Sequence, residues 1–269
     1  IKLNNNFGVF EIGMDKKGEI DYLSNIINPN VGVITNISYA HIKNFKNLNE
    51  IAKAKSELID KILPNGYVVL NKDDKYFNFF KSKAVKKNLE IISFSRNKQS
   101  DISLHKIKKY EGRFYLKIKY MEKILEFQIN KNALFFLENL LASIAVLSIY
   151  FDLHKLKKNI FLNFKIPSGR GDLKKISILN KSINIIDESY NSNPLSLDFA
   201  IQKYNSISVK KGRKIAILGD MLELGGHAKR LHIQVTNIIN KSNIDKVYVY
   251  GKYIQQTFNK IKTQKKGKV

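Results

Sequence analysis

At 269 residues, with 43% hydrophobic and 26% charged residues, the chain has the make-up of an ordinary globular protein long enough for two domains. The absence of cysteine excludes disulfides and thiolate metal sites and suits a reducing compartment. The formal charge of +24 raises a nucleic-acid reading, but only five of the 47 basic residues are arginines, whereas base readers lean on arginine forks; the dispersed lysines read instead as a solvated surface.

Phe7–Ile12 (FGVFEI) is expected as a short strand carrying Glu11 near its end, with Gly13 turning the chain. Gly18–Asn28 patterns as an amphipathic helix with Ile20, Leu23 and Ile27 on one face, stopped by Pro29. Val31–Ile37 is a β-branched apolar strand whose polar end holds Asn36, Ser38 and then His41. Asn47 with Glu50 three residues on has capping-box-like spacing, and Leu48, Ile51, Ala52, Leu58, Ile59 and Ile62 make one apolar helical stripe. Lys55 falls inside that stripe, where an ammonium is costly unless something there needs it. Pro64-Asn65-Gly66 ends the helix, Tyr67–Leu70 is the next strand, and Asn71-Lys72-Asp73-Asp74 is a polar turn.

Leu89–Phe94 is a further strand, and Ile102–Ile129 alternates with period two, predicting antiparallel strands. Ala133–Phe151 approaches the length of a membrane span, but Glu138, Asn139, Ser143 and Ser148 interrupt it; a buried helix is expected, without membrane insertion. A second helix to about Phe164 closes the first domain, residues 1–164. Lys165–Asp172 (KIPSGRGD) has linker chemistry, and residues 165–269 restart as an α/β unit. Its strands are Ile183–Ile186, Lys214–Leu218 and Lys246–Tyr250, and its helices Pro194–Tyr204, Ala228–Ile239 and Lys252–Ile261. The tail KTQKKGKV, with Lys262, Lys265, Lys266 and Lys268, is the densest basic block.

Polar groups recur at strand ends: Glu11, His41, Asp187 and Asp220. In an open parallel sheet such ends line one crevice. A carboxylate and an imidazole from different strands suit Mg²⁺, Mn²⁺ or Zn²⁺, although spacing alone is equally met by satisfied polar strand ends.

The motifs GVFEIGMDKKGEIDYL, VGVITNISYAHI, IAKAKSEL, VLNKDD, IDESYNSNP and IAILGDMLELG follow in one order. Together they resemble the Mur ligases over nearly the whole chain. IDESYNSNP and LGDMLELG resemble the branch that adds D-alanyl-D-alanine to UDP-N-acetylmuramoyl-tripeptide, and not the branches adding single amino acids or the folylpolyglutamate synthases. The resemblance implies an α/β central ATPase domain with a mostly parallel sheet and an antiparallel portion, followed by a Rossmann-like α/β C-terminal domain. It implies ATP and Mg²⁺ and a cytoplasmic monomeric enzyme of peptidoglycan precursor synthesis that works through an acyl phosphate. Glu11, His41 and Lys55 match the catalytic metal-binding set, with Lys55 carbamylated. Asn139 matches the adenine contact, and Arg170, Asp187, Tyr190, Asn191 and Asn193 the nucleotide edge of the second domain. The linker would act as a hinge.

The sequence departs from the family at Ala133-Leu134-Phe135-Phe136, where a Gly-x-His-Asn pattern is usual, and Glu188 and Ser192 replace the commoner Asp and Ala. It contains no Gly-Thr-x-Gly-Lys-Thr phosphate loop, begins with Ile1, and shows no secretory signal, so an internal fragment is expected. Two other readings are weighed: another amide ligase of the superfamily, and a basic nucleic-acid-binding protein, which alone predicts a steep salt dependence of binding to random DNA. Phosphoryl transfer depends on charge neutralisation around the γ-phosphate. The 269-residue chain alone is therefore expected to release no ADP when given ATP, tripeptide precursor and D-alanyl-D-alanine. Turnover near that of a full-length ligase would refute the fragment reading.

Overall fold

The computed structural model describes residues 6–178, 181–209 and 211–267. They form two compact units: one from the residues up to Ile37, Asn47–Ile129 and Phe136–Leu162, the other from Ser38–Lys46, Asn130–Phe135 and the residues from Asn163 onward.

In the first unit α1 (Glu19–Ile27) begins after Gly18, whose φ of 90° is open to glycine, and ends at Asn28 in the left-handed region. Its amide end is covered by a carboxylate from a later helix: Glu57 accepts from Gly18 N at 3.0 Å and from Asp21 N at 3.1 Å. β1 (Val31–Ile34) is shorter than its apolar run. α2 (Leu48–Lys55) starts as expected, the Asn47 side chain accepting from Glu50 N at 3.2 Å, and breaks at Ser56 before α3 (Glu57–Lys61). A Cβ at Gly32 would lie 2.7 Å from Ile62 Cδ1, so the missing side chain lets Ile62 and Leu58 close over β1.

β2 (Tyr67–Asn71), α4 (Phe77–Lys86), β3 (Glu90–Ser95), β4 (Ile102–Tyr110), β5 (Arg113–Tyr120) and β6 (Lys123–Ile129) complete a sheet in sequence order. β1 to β4 are parallel and β4-β5-β6 antiparallel. Glu111 and Gly112, both with positive φ, make the tight turn between β4 and β5. The alternation of β5 sends Leu116 and Ile118 fully inside, while Lys117 meets its cross-strand neighbour Glu126 at 2.7 Å. α5 (Leu137–Tyr150) lies on β2, β3 and β4. Together with the 3₁₀ segment Lys131–Phe136 before it, it is long and apolar enough to cross a membrane. Leu137, Leu140, Leu141, Ile144 and Ala145 are nevertheless buried as core. Each of the leucine and isoleucine side chains among them contributes about 1.5–3 kcal/mol.

Two expectations fail here. Phe7–Ile12 forms no strand, and Phe7, Val9 and Phe10 are exposed; an apolar run becomes a strand only where a sheet edge takes its N–H and C=O groups. The expected second helix to Phe164 is a single 3₁₀ turn, Leu153–Lys155. The chain beyond it is drawn to the edge of β6, with Gln128 N donating to Lys158 O at 2.6 Å and Phe161 bridging Ile129.

The second unit opens with an unforeseen antiparallel hairpin, β7 (Asp172–Ile178) with β8 (Lys181–Asp187). Both strands are largely exposed, so no burial alternation marked the first of them. α6 (Pro194–Ser206) has Pro at its first turn and a complete capping box between Asn193 and Ser196. β9 (Ile215–Gly219) and β10 (Lys246–Tyr250) run parallel, accompanied by α7 (Ala228–Lys241) and α8 (Ile254–Lys260). Leu231, Val235 and Ile239 of α7 are fully buried. In the basic tail Lys265 is buried, contrary to a wholly solvated block, and Lys268 lies outside the described residues.

Glu57→Ala removes the carboxylate on the first turn of α1. The expected result is a loss of about 1–2 kcal/mol there, seen as roughly tenfold faster amide exchange at Asp21. Unchanged exchange would show that solvent replaces Glu57 without cost.

Candidate functional site

The chain beyond the carboxyl ends of β1, β2 and β3 is held by two side chains from the turn after β2. Asp74, after β2, accepts from Ile37 N beyond β1 at 2.8 Å and from Tyr76 N at 2.7 Å. Asp73 accepts from Arg96 N at 2.6 Å and Asn97 N at 3.0 Å, beyond β3. The second Asp73 oxygen is sealed from solvent without a hydrogen bond.

Lys55, the last residue of α2, reaches this place. Its Nζ donates to Asn36 O at 3.1 Å. Burial lowers the pKa of the amine from the ordinary lysine value, and the negative charge of Asp74 opposes that shift. Glu138, on the first turn of α5, belongs to the same electrostatic group. Burial raises its pKa, Arg96 opposes, and Asp73 and Asp74 add to it. The lysine was legible in the sequence as a polar break in an apolar stripe. Asp73 and Asp74 lie in VLNKDD just after β2, and Glu138 breaks the apolar run of α5, but nothing local to these positions joins them to Lys55.

The remaining candidates divide between the two units. Glu11 is exposed in irregular chain of the first unit. His41 belongs to the second, with φ 58° and its Nδ1 at 2.6 Å from a Glu223 carboxylate oxygen. Among the described residues no group of three or more His, Asp and Glu gathers as a metal cage. Mg²⁺ requires none, since it commonly takes one or two protein ligands with phosphate and water. Asn139 is exposed near the start of α5, where its carbonyl oxygen accepts from Ser143 Oγ at 2.8 Å.

The second-unit residues from IDESYNSNP and the linker do come together. The Arg170 guanidinium lies 4.4 Å from the Tyr190 ring centroid, and Tyr190 N donates to Gly169 O at 3.1 Å. Gly169 has φ 74°, and a Cβ there would crowd Tyr190 at 3.1 Å. Lys174 at 2.7 Å, with Ser189 donating through Oγ and N, holds Asp187 at a pKa of about 2. Asn191 accepts from Ser192 N at 2.7 Å. Asn193 is engaged as the α6 cap, accepting from Leu195 N and Ser196 N at 3.0 Å.

Asp220 does not belong to an open crevice. Its carboxylate accepts from Lys252 N, Tyr253 N and Ile254 N at 2.9, 2.9 and 2.7 Å, which closes the amide end of α8. Gly251, with φ 139°, is needed beside it, because a Cβ would fall 2.5 Å from that carboxylate.

Residues 2–147 match the Mur ligase middle domain, and residues 170–268 match the Mur ligase glutamate ligase domain. The chain is 33% identical over 258 residues to a UDP-N-acetylmuramoyl-tripeptide--D-alanyl-D-alanine ligase of Buchnera aphidicola, covering 93% of this chain and 54% of that protein. A Bacillus subtilis relative of the same name is 31% identical, with 93% and 52% covered. The chain thus spans about half the length of the curated relatives it matches. MurF from Acinetobacter baumannii superposes with a TM-score of 0.81 at 24% identity, covering 96% of this chain and 54% of that one. MurF from Thermotoga maritima in complex with ADP gives 0.75 at 23%, covering 97% and 58%.

Desolvation leaves more of the Lys55 amine neutral at a given pH than for an exposed lysine. In competitive acetylation across pH 7–11, Lys55 is expected to titrate with a midpoint clearly below 10.5. A midpoint at or above that of the exposed lysines would show the amine to be solvated.

Proposed function

The chain belongs to the Mur ligase family, and we propose that it is the catalytic part of a cytoplasmic, ATP-dependent ligase joining D-alanyl-D-alanine to UDP-N-acetylmuramoyl-tripeptide. The similarity to relatives of that name supports the substrate assignment, and the ADP complex of a structural neighbour supports the nucleotide. In this reading residues 1–164 are the central ATP-binding domain and 165–269 the C-terminal domain.

The observation that carries the reading is the desolvated amine of Lys55 at the end of β1. A neutral amine attacks CO₂ through its nitrogen lone pair, loses one proton to water and becomes a carbamate. An exposed ammonium has no lone pair to give. The exchange puts a carboxylate where a cation stood, beside the rigid turns tied by Asp73 and Asp74. Glu11, His41 and carbamylated Lys55 would hold Mg²⁺, which when bound neutralises charge on the transferring phosphoryl group. The donors fit a hard cation: oxygen ligands with an imidazole already backed by a carboxylate, as metal-binding histidines commonly are.

The tripeptide carboxylate would take the γ-phosphoryl of ATP to give an acyl phosphate and ADP. The dipeptide amine would then attack the acyl carbon, with phosphate leaving and one proton released. Arg170, stacked on Tyr190, and Asp187 would face the nucleotide, and Asn139 the adenine. Asn191 and Asn193 would act by shaping that loop, Asn193 through its cap on α6.

The test uses the full-length protein encoded by the gene, with ADP release as the measurement. Lys55→Ala is expected to lose activity by at least about 100-fold, on the scale of removing one charged transition-state partner, and added formate should restore part of it. Unchanged activity in Lys55→Ala would overturn the proposal.

A further inference from the structure

In the motif LGDMLELG neither packing nor helix capping explains Glu223. Met221 and Leu224 are buried, and Asp220 closes α8, but Glu223 points its carboxylate at His41. Both partners are non-glycine residues in the left-handed region, at φ 59° and 58°. Such conformations persist where the surroundings impose them and cluster at functional sites. Here the backbone imposes them: Lys43 N donates to Glu223 O at 2.9 Å. A Cβ on Gly225, itself at φ 50°, would stand 2.9 Å from Lys43 Cα, so glycine there permits the approach. Ile42, between the two, is fully buried.

As a stability device the pair is weak, because both side chains are more than a third exposed and surface ion pairs contribute little. Its geometry is selective in another way. His41 Nδ1 is sealed from solvent with the carboxylate oxygen 2.6 Å away, close but off the line of an ideal hydrogen bond. An unprotonated Nδ1 at that distance would set lone pair against lone pair, so the ring hydrogen sits on Nδ1. In the neutral ring the Nε2 lone pair is then left to act as ligand.

We propose that Glu223 is a positioning residue that fixes His41 in the Nδ1–H tautomer and aims Nε2 as a donor for a hard divalent cation. The cation rests on the ligase reading above; the tautomer does not.

The experiment uses the protein labelled with ¹⁵N-histidine at pH 8.5, about two units above the ordinary imidazole pKa. The His41 signals are identified by their loss in His41→Gln. Long-range ¹H–¹⁵N correlations are expected to show Nδ1–H in the wild type and a shift to mainly Nε2–H in Glu223→Ala. Glu223→Gln, whose amide oxygen still accepts, is expected to keep Nδ1–H. Mn²⁺, a paramagnetic stand-in for Mg²⁺, should broaden His41 in the wild type. In Glu223→Ala the concentration needed should rise about 10- to 100-fold, with backbone amide shifts elsewhere unchanged. Nε2–H in the wild type, or Nδ1–H surviving in Glu223→Ala, overturns the proposal. Should the tautomers behave as stated while Mn²⁺ leaves wild-type His41 sharp, the positioning stands and the ligase reading of His41 fails.

Discussion

Two adjacent carboxylates after β2 set the geometry of the first unit's working end. Asp74 reaches back to the chain beyond β1, and Asp73 reaches across to the chain beyond β3. Each accepts backbone N–H groups that the parallel ladder has run out of partners for. Loops at the carboxyl end of an open sheet are otherwise free to wander. Tied in this way, they give Asn36 O a fixed position, and Lys55 finds its acceptor there. The site's electrostatics follow: an amine is drawn out of water toward a strand end already bearing Asp73, Asp74 and the partly buried Glu138.

The excess of lysine has a structural side as well as a solvated one. Lys214, nearly buried, donates to Tyr204 O, Asn205 O and the Asn243 amide oxygen, closing the last turn of α6. Lys265 donates to Ser242 O and Ile244 O just past α7, and burial lowers its pKa. Helix ends expose carbonyls with partial negative charge, and an ammonium on a long stem satisfies several of them at once. Lys203 likewise donates to a backbone carbonyl, Gly171 O just before β7, while lying over the Phe135 ring. Part of the +24 charge is thereby engaged with backbone carbonyls inside the second unit, which weakens a reading of that charge as a surface for polyanions.

The motif order, more than any single spacing, separated this chain from other α/β proteins, because its pieces serve different physical ends. In IAKAKSEL, Lys55 is the desolvated amine and Glu57 covers the start of α1. In LGDMLELG, Asp220 closes α8, Met221 and Leu224 anchor the loop, Glu223 meets His41 and Gly225 permits close approach. A sequence has to meet every one of these demands together, so the combination is informative where each residue alone is not.

The sequence by itself determined what depends on neighbouring residues: the strands β1, β2 and β3, the helical stretch between the first two of them, the Asn47 cap, the antiparallel strands within Ile102–Ile129, and the place of Lys55 on an apolar stripe; the helix α4 between β2 and β3 was not among them. Period and turn chemistry are written in consecutive positions, so these were legible. The tertiary structure alone decided what engages each polar strand end. Asp220 and Asp187 look alike in the sequence, yet Asp220 closes the amide end of α8 while Asp187 is held by Lys174 and Ser189. Glu11 was given a strand that no sheet edge accepts. Glu57 and Glu223 carried no local signal at all, because their partners, Gly18 and His41, lie far along the chain. A carboxylate's role is set by which amides and rings the fold brings within about 3 Å of it, and periodicity holds no record of that.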